Sequence, residues 1–366
     1  MRRVIFIILG AIMCMLGEHL CAQERIYKYV DASTLNIIGK PSPVAETYAR
    51  VDTLEYRFDD PGIMKYGSYS TGLAVLFKTD SRNISAKWVT SATNVRPNLT
   101  GILQKGLDLY IKDGEKWVYA GVGVPQLDQY PHDSHQWNMV ENMAEGVKEC
   151  LLYLPIFDTL ESLQIGIDTD SDISALENTF RHKIVFKGSS ITHGASASRP
   201  GMTYPARFGR DNGFYVCNLG FSGRSKLQKE FARMLSEMEA DAFVFDAFSN
   251  PDGETIYSRF DEFVDIIRST HPITPLIFLQ TERQEMRNFN QWKDDYESAK
   301  QKAGEDVVRR RMKEDPHVYF IDSEGFLGDD HIGTADGTHP NDLGFTYMLD
   351  VITPEILKIL EQYGIK

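Results

Sequence analysis

The chain changes rhythm near residue 180, and that change limits its fold more than any single motif does. From there on, short apolar runs at 183–186, 214–219, 242–245, 276–279 and 318–321 alternate with longer segments of helical spacing. Leu227, Phe231, Leu235 and Met238 share one helical face, as do Ile256, Phe260, Phe263, Val264 and Ile267. Strand, loop and helix in repetition predict an α/β domain, a mostly parallel sheet with helices on both faces. A closing helix is expected over 347–363. Before the change, from about 26 to 172, short aromatic and β-branched runs follow one another without a helical stripe. Candidate strands include 72–78, 84–89, 107–111, 116–120 and 163–167, and Asp113-Gly114 suits a hairpin turn between two of them. A β-sandwich of jelly-roll type is the expected architecture there. The 366 residues accommodate both units, with an expected division into a leader at 1–22, a sandwich at 23–175 and an α/β domain at 176–366.

The leader reading rests on Arg2 and Arg3, an apolar run at 4–16, and Leu20-Cys21-Ala22 ahead of Gln23. The run is too short for a permanent anchor, and His19-Leu20 fit poorly with lipidation of Cys21. Cleavage after Ala22 is therefore expected, with export to the periplasm or the exterior and no membrane span in the mature protein. Cleavage would remove Cys14 and Cys21 and leave Cys150 and Cys217, one in each expected domain. They could bridge the domains, although the apolar run around Cys217 suits a small buried thiol better. With 52 acidic against 39 basic residues, a net charge of −13 and no basic block, the surface excludes nucleic acid and anionic lipid as partners.

In a doubly wound sheet, ligands bind beyond the carboxyl ends of the strands. Ser190 follows the first apolar run of the α/β half, Ser222-Gly223 the second and Asn250 the third, and Asp336 and His339 lie after the fifth. All fall at the same expected end of the sheet. Serine is a weak nucleophile until a base takes its proton, which histidine can do, and a carboxylate then orients the ring and stabilises its cation. The backbone amides of Ser190 and Gly223 and the side-chain amide of Asn250 are candidate donors to the oxyanion formed when an ester is attacked. No close carboxylate pair, Cys-x-x-Cys or His-Glu-x-x-His spacing competes with this constellation, so a metal or glycosidase mechanism has little support and no metal or cofactor is expected.

Other residues invite a role. Ser189 is the rival of Ser190 and suits a hydrogen bond within the turn. His193 suits the substrate rim or the surface. The 199–202 segment, beginning at Arg199, either lines an acyl pocket or begins the next helix. Glu282 and Arg283 are expected to pair at the pocket edge. His132, Asp133 and His135 read as loop residues rather than metal ligands, and Asp108 and Tyr110 as structural.

Gly188-Ser-Ser-Ile-Thr-His-Gly194, Asn218-Leu-Gly-Phe-Ser-Gly223, Asn250 and Asp336-Gly-Thr-His-Pro-Asn-Asp-Leu-Gly344 resemble the four blocks of the SGNH (GDSL-type) hydrolases. Gly106-Leu-Asp-Leu-Tyr110 resembles the Gly-x-Asp-Leu-Tyr signature of a β-sandwich domain that precedes one branch of them. The resemblance implies a flavodoxin-like sheet. It places the nucleophile and first oxyanion donor on Ser190, the other donors on Gly223 and Asn250, and the orienter and base on Asp336 and His339. Two departures stand out: Ser189 occupies the aspartate position of the first block, and Asn250 lies in Asp246-Ala-Phe-Ser-Asn-Pro251 rather than Gly-x-Asn-Asp. The implied activity is that of a secreted serine esterase acting on short acyl esters, acetyl above all, of carbohydrates. An acyltransferase using the same acyl-enzyme and a non-catalytic glycan-binding protein are the alternatives.

Overall fold

The computed structural model describes residues 25–44, 46–127 and 133–366; the expected leader at 1–22, with Cys14 and Cys21, and His132 lie outside them. The first half forms two antiparallel sheets. One consists of β1 (Tyr27–Asp31), β9 (Leu160–Asp168), β4 (Ile84–Thr90) and β7 (Ser134–Val140), in that order. The other runs β10 (Ile173–Ala175), β3 (Ala74–Thr79), β8 (Lys148–Tyr153), β5 (Leu107–Asp113) and β6 (Lys116–Gly123), with β2 (Asn36–Ile38) also on β3. Asp113 pairs with Lys116 across the expected hairpin, and Gly114 takes φ +59°, which favours glycine at the turn. Ile84, Ala86, Trp88, Leu107, Leu109, Cys150, Leu152, Leu163 and Ile165 fill the space between the sheets.

The second sheet is covered on its outer face too. Ala74, Leu76, Tyr110, Leu151 and Tyr153 pack there with Ala206 of the second half. Burial on both faces explains why β3 and β8 read as nearly continuous apolar runs instead of alternating. Two short helices interrupt a region that carries no helical stripe: α1 (Pro61–Gly67), capped by Asp60 with proline at its start, and α2 (Gly101–Lys105), capped by Thr100.

The second half is a parallel sheet of five strands, ordered β12 (Phe214–Gly220), β11 (Arg181–Gly188), β13 (Ala242–Asp246), β14 (Leu276–Leu279) and β15 (Val318–Ile321). This is the flavodoxin-like order, and all five expected apolar runs became its strands. Val185, Phe243, Phe245, Leu276 and Phe278 face α5 (Lys229–Ser236), α6 (Gly253–Arg268) and α7 (Gln291–Arg311). Ile184, Phe186, Val244, Ile277 and Leu279 face α4 (Tyr204–Asn212) and α8 (Asp342–Glu361). The closing helix starts earlier than its apolar pattern, because Asn341 Oδ1 accepts from the Leu343 and Gly344 N–H groups and caps it. Helix α7 was not legible from periodicity. It is densely charged and buries chiefly Ala303, Gly304, Val307 and Val308, with Gly304 so near Phe248 that a Cβ would lie 2.8 Å from the ring.

Candidate active site

β11 ends at Gly188, where a Cβ would lie 2.1 Å from Thr192 Oγ1 and 2.7 Å from Asp246 Cβ. Glycine lets the strand turn at once into the one-turn helix α3 (Ser190–His193). Ser189 caps it, accepting from the Ile191 N–H at 3.1 Å and donating its own hydroxyl to Asp246 Oδ2. Its N–H reaches the same carboxylate oxygen at 3.0 Å. With Ser189 engaged inward, Ser190 presents its Oγ to His339 Nε2 at 2.9 Å.

The 336–339 segment is a tight turn. Gly337 takes φ +83°, the Ala335 N–H donates to His339 O at 3.0 Å, and the Met286 N–H donates to Gly337 O at 2.8 Å. Asp336 Oδ1 accepts the N–H groups of Thr338 and His339 at 3.0 and 2.8 Å, and Oδ2 accepts His339 Nδ1–H at 2.8 Å. Burial alone would raise the Asp336 carboxyl, but these donors hold it below the usual carboxylate range. A hydroxyl, an imidazole and a carboxylate therefore stand in one hydrogen-bonded line. The Nδ1 proton faces the carboxylate, and the Nε2 lone pair faces the serine.

Gly223 follows β12 with φ +71°, and nothing lies within 4 Å of where its Cβ would be. Neither the Ser190 nor the Gly223 N–H meets a protein acceptor among the described residues. Asn250 Oδ1 accepts the Ser225 N–H at 3.2 Å, which joins the loops after β12 and β13 and leaves Nδ2 without a partner among the described residues.

Several expectations fail. His193 is neither at a rim nor on the surface; it is fully buried and stacked on Phe157 at 3.9 Å. Its Nε2–H donates to Ile156 O at 2.7 Å, and its Nδ1 accepts the Ser222 N–H at 3.4 Å. Burial, with Arg50 nearby, pushes this imidazole far below its ordinary pKa, so it stays neutral. Of the two roles open to the 199–202 segment, it takes the turn into the next helix: Arg199 leads into a 3-10 turn (Pro200–Met202) just before α4, and its Nε donates to Asp108 Oδ1 at 3.1 Å. Glu282 and Arg283 do not pair: Glu282 is buried, while Arg283 is exposed and reaches Asp294 at 3.6 Å. Asp133 pairs with Lys105 at 3.5 Å, and His135 is engaged by Thr90 and the Gln126 N–H at 3.1 Å each. Cys150 and Cys217 do not bridge the halves; both are buried free thiols, the reading that the apolar run around Cys217 favoured.

Asp108 and Tyr110 turn out to belong to a clasp between the halves. Asp108 is fully buried and accepts from Arg199, from the Gly201 N–H at 2.9 Å and from Tyr110 Oη at 3.3 Å. Burial raises its carboxyl to about 6 against the pull of Arg199. Asp108 and Tyr110 share the strand face opposite Leu107 and Leu109, so the motif has one side for the sandwich core and one for the partner half. Two further polar residues escaped sequence reasoning. Asp246 anchors the Ser189–Ser190 turn, a position hinted at only by its place at a strand end. Asn98, in the coil before α2, donates to Asp336 Oδ2 at 3.1 Å, and nothing in its local sequence signals this.

A Ser-His-carboxylate line at the carboxyl ends of a doubly wound sheet is the arrangement of a serine hydrolase. A model of the GDSL-like lipase/acylhydrolase family matches residues 181–357, and a model of the GxDLY N-terminus of SGNH-hydrolase-type esterases matches residues 27–173. A Bacteroides ovatus protein described as a GDSL-like lipase is 46% identical, over 92% of this chain and 98% of that one, with a TM-score of 0.88. The chain belongs to the GDSL-like lipase/acylhydrolase (SGNH hydrolase) family, in the branch that carries the GxDLY domain, and is an esterase of that family. The salicylyl-acyltransferase SsfX3 of a tetracycline biosynthetic pathway is 20% identical over 91% of this chain and 97% of its own, with a TM-score of 0.70. A family two carbohydrate esterase from Clostridium thermocellum is 14% identical over 80% and 93%, with a TM-score of 0.57. These two share the fold. No curated protein sequence matches.

Proposed function

We propose that the protein is an exported serine esterase that removes short acyl groups, acetyl above all, from carbohydrate esters through an acyl-enzyme on Ser190. The observation that carries the chemistry is the line from Ser190 Oγ to His339 Nε2 at 2.9 Å and from His339 Nδ1 to Asp336 at 2.8 Å. His339 takes the hydroxyl proton as Oγ attacks the ester carbonyl, and passes it to the departing sugar oxygen. The Ser190 and Gly223 N–H groups and Asn250 Nδ2 receive the developing oxyanion. His339 then deprotonates a water that attacks the acyl carbon, and Ser190 is released with its proton restored.

Side-chain exposures of 19% for His339 and 33% for Asp336 leave the imidazole open to water, which favours hydrolysis over transfer to another acceptor. Export rests on the leader-like residues 1–22. Among the described residues no helix is long and apolar enough to cross a membrane. The carbohydrate alcohol rests by analogy on the fold shared with the Clostridium thermocellum family two carbohydrate esterase over 80% of this chain. Hydrolysis of 4-nitrophenyl acetate and of acetylated oligosaccharides, with released acetate measured by mass, tests the reading. Wild type should turn over both, and Ser190→Ala should lose roughly 10³-fold or more. A folded Ser190→Ala that keeps its rate would sink the acyl-enzyme, and preference for long acyl chains would overturn the acetyl assignment. Transfer to an added alcohol in place of acetate release would favour the acyltransferase.

A further inference from the structure

We infer that Asn98, supplied by the sandwich half, is a positioning residue for the Asp336 carboxylate, so that the active site is completed across the boundary between the two halves. This rests on the roles proposed above for Ser190, His339 and Asp336. Asn98 Nδ2 lies 3.1 Å from Asp336 Oδ2 and 3.4 Å from His339 Nδ1. A carboxylate only accepts, so the amide must turn its NH2 toward it. His339 Nδ1 carries the proton given to the same oxygen, which leaves Asp336 as the partner of Asn98. The carboxylate thus has two donors on each oxygen: Thr338 and His339 N–H on Oδ1, His339 Nδ1–H and Asn98 Nδ2–H on Oδ2.

Three of those four donors belong to the turn of Asp336 itself. Asn98 alone comes from elsewhere, and its own placement is firm. Leu99 is buried in the core that carries Ile184, Phe186 and Phe345 of the second half. Asn98 O accepts Ser196 Oγ–H at 3.0 Å, and Thr100 Oγ1–H donates to Ser198 O at 2.7 Å. Arg96 N–H donates to Gln104 Oε1 at 3.0 Å. The coil therefore grips the segment just after the nucleophile helix at two points and touches the carboxylate at a third.

Two effects follow. Without Asn98, Oδ2 would be held only by the ring it must orient, so carboxylate and imidazole could swing together. The amide also draws part of the negative charge on Oδ2, which tempers the hold of the carboxylate on the imidazolium. Among the described residues no other ionisable side chain hydrogen-bonds Asp336 or His339. Ser190 meets the ring from α3, and Met286 meets the turn from a 3-10 turn (Glu285–Arg287) before α7. Beside Met286, Glu285 is paired with His331 at 3.0 Å; Asp342 at the start of α8 takes the Ser198 N–H at 2.8 Å.

Steady-state kinetics on 4-nitrophenyl acetate, with a thermal melt of each variant, tests the inference. Asn98→Ala should lower kcat roughly ten- to a hundredfold, the scale of one hydrogen bond to a charged group, with KM changed less than about twofold. The acidic limb of kcat/KM should move to higher pH, because the undiluted carboxylate keeps the imidazolium protonated longer. Asn98→Asp, nearly isosteric, should move the limb further in the same direction. In an Asp336→Asn background, Asn98→Ala should have almost no further effect on kcat. A purely structural Asn98 would instead lower the melting temperature, leave the limb in place and act additively with Asp336→Asn, and that outcome overturns the inference. Loss of turnover in Ser190→Ala together with an unchanged Asn98→Ala overturns this inference alone and leaves the esterase reading standing. Should Asn98→Ala fold poorly, the limb of Asn98→Asp decides.

Discussion

In the parallel half every group of the candidate site lies beyond the end of a strand, whereas in the sandwich half the groups that reach the other half leave from within a strand, as Asp108 and Tyr110 do, or from a turn, as Asn98 does. The reason is topological. A parallel sheet closes each strand with a loop at one common end, so strands that share nothing else deliver side chains and N–H groups to one crevice. An antiparallel sandwich has no such common end, and its outward face becomes useful only where another unit covers it. Here β3, β5 and β8 are covered on both faces, and the outer face carries a buried carboxylate, a tyrosine and contacts to α4. The first half is thus less an appendage than one wall of the second.

Changes in the two halves should therefore fail differently. Asp336→Asn should cost about 10⁴-fold in kcat with little change in melting temperature, the scale of the same change in other Ser-His-Asp enzymes. A loss under tenfold would mean that the strand-end line is not the working one. Asp108→Ala should act on stability, by about 3 kcal/mol in chemical denaturation, because it leaves Arg199 facing an emptied buried site. If the two halves then melt separately, the clasp is what joins them; if stability is unchanged, the sandwich is a passenger after all.

His193→Leu should cost about 2 kcal/mol at pH 8, from the hydrogen bonds its ring makes at the end of α3 with Thr71, Ile156 O and the Ser222 N–H. The sign of its pH dependence follows from a depressed value in the folded state. The unfolded chain takes up the proton near pH 6.5 while the buried ring does not, so the stabilisation is full above that pH and fades below it. The gap between wild type and variant should narrow from pH 8 to pH 5; a constant gap would mean that the ring titrates freely. Ser189→Ala should be the mildest change, about 1 kcal/mol for a lost helix cap, with activity within a few fold of wild type. An inactive Ser189→Ala of normal stability would reverse the assignment of the two serines.

Much of this was legible. The five apolar runs of the second half are its five strands, since burial under helices on both faces writes an unbroken hydrophobic signature. The placement of Ser190, Gly223, Asn250, Asp336 and His339 beyond strand ends could be read from the same rhythm. Helix α7 could not, because it packs through small residues along a charged surface and leaves no apolar stripe. The misplacement of His193 has a similar cause. Its immediate neighbours Thr192 and Gly194 are polar or small, and the aromatic shell around it, Tyr66, Tyr69 and Phe157, comes from the other half.

By itself the sequence determined the two folding patterns, the common end of the parallel sheet and the order Ser, Asp, His, because hydrophobic period and turn chemistry are local properties. The meeting of the halves belongs to the tertiary structure alone. That Asn98 reaches Asp336, that Asp108 holds Arg199, and that His193 is sealed between the halves depend on which sandwich face docks. Residues more than 90 positions apart along the chain carry no shared local signal until their surfaces touch.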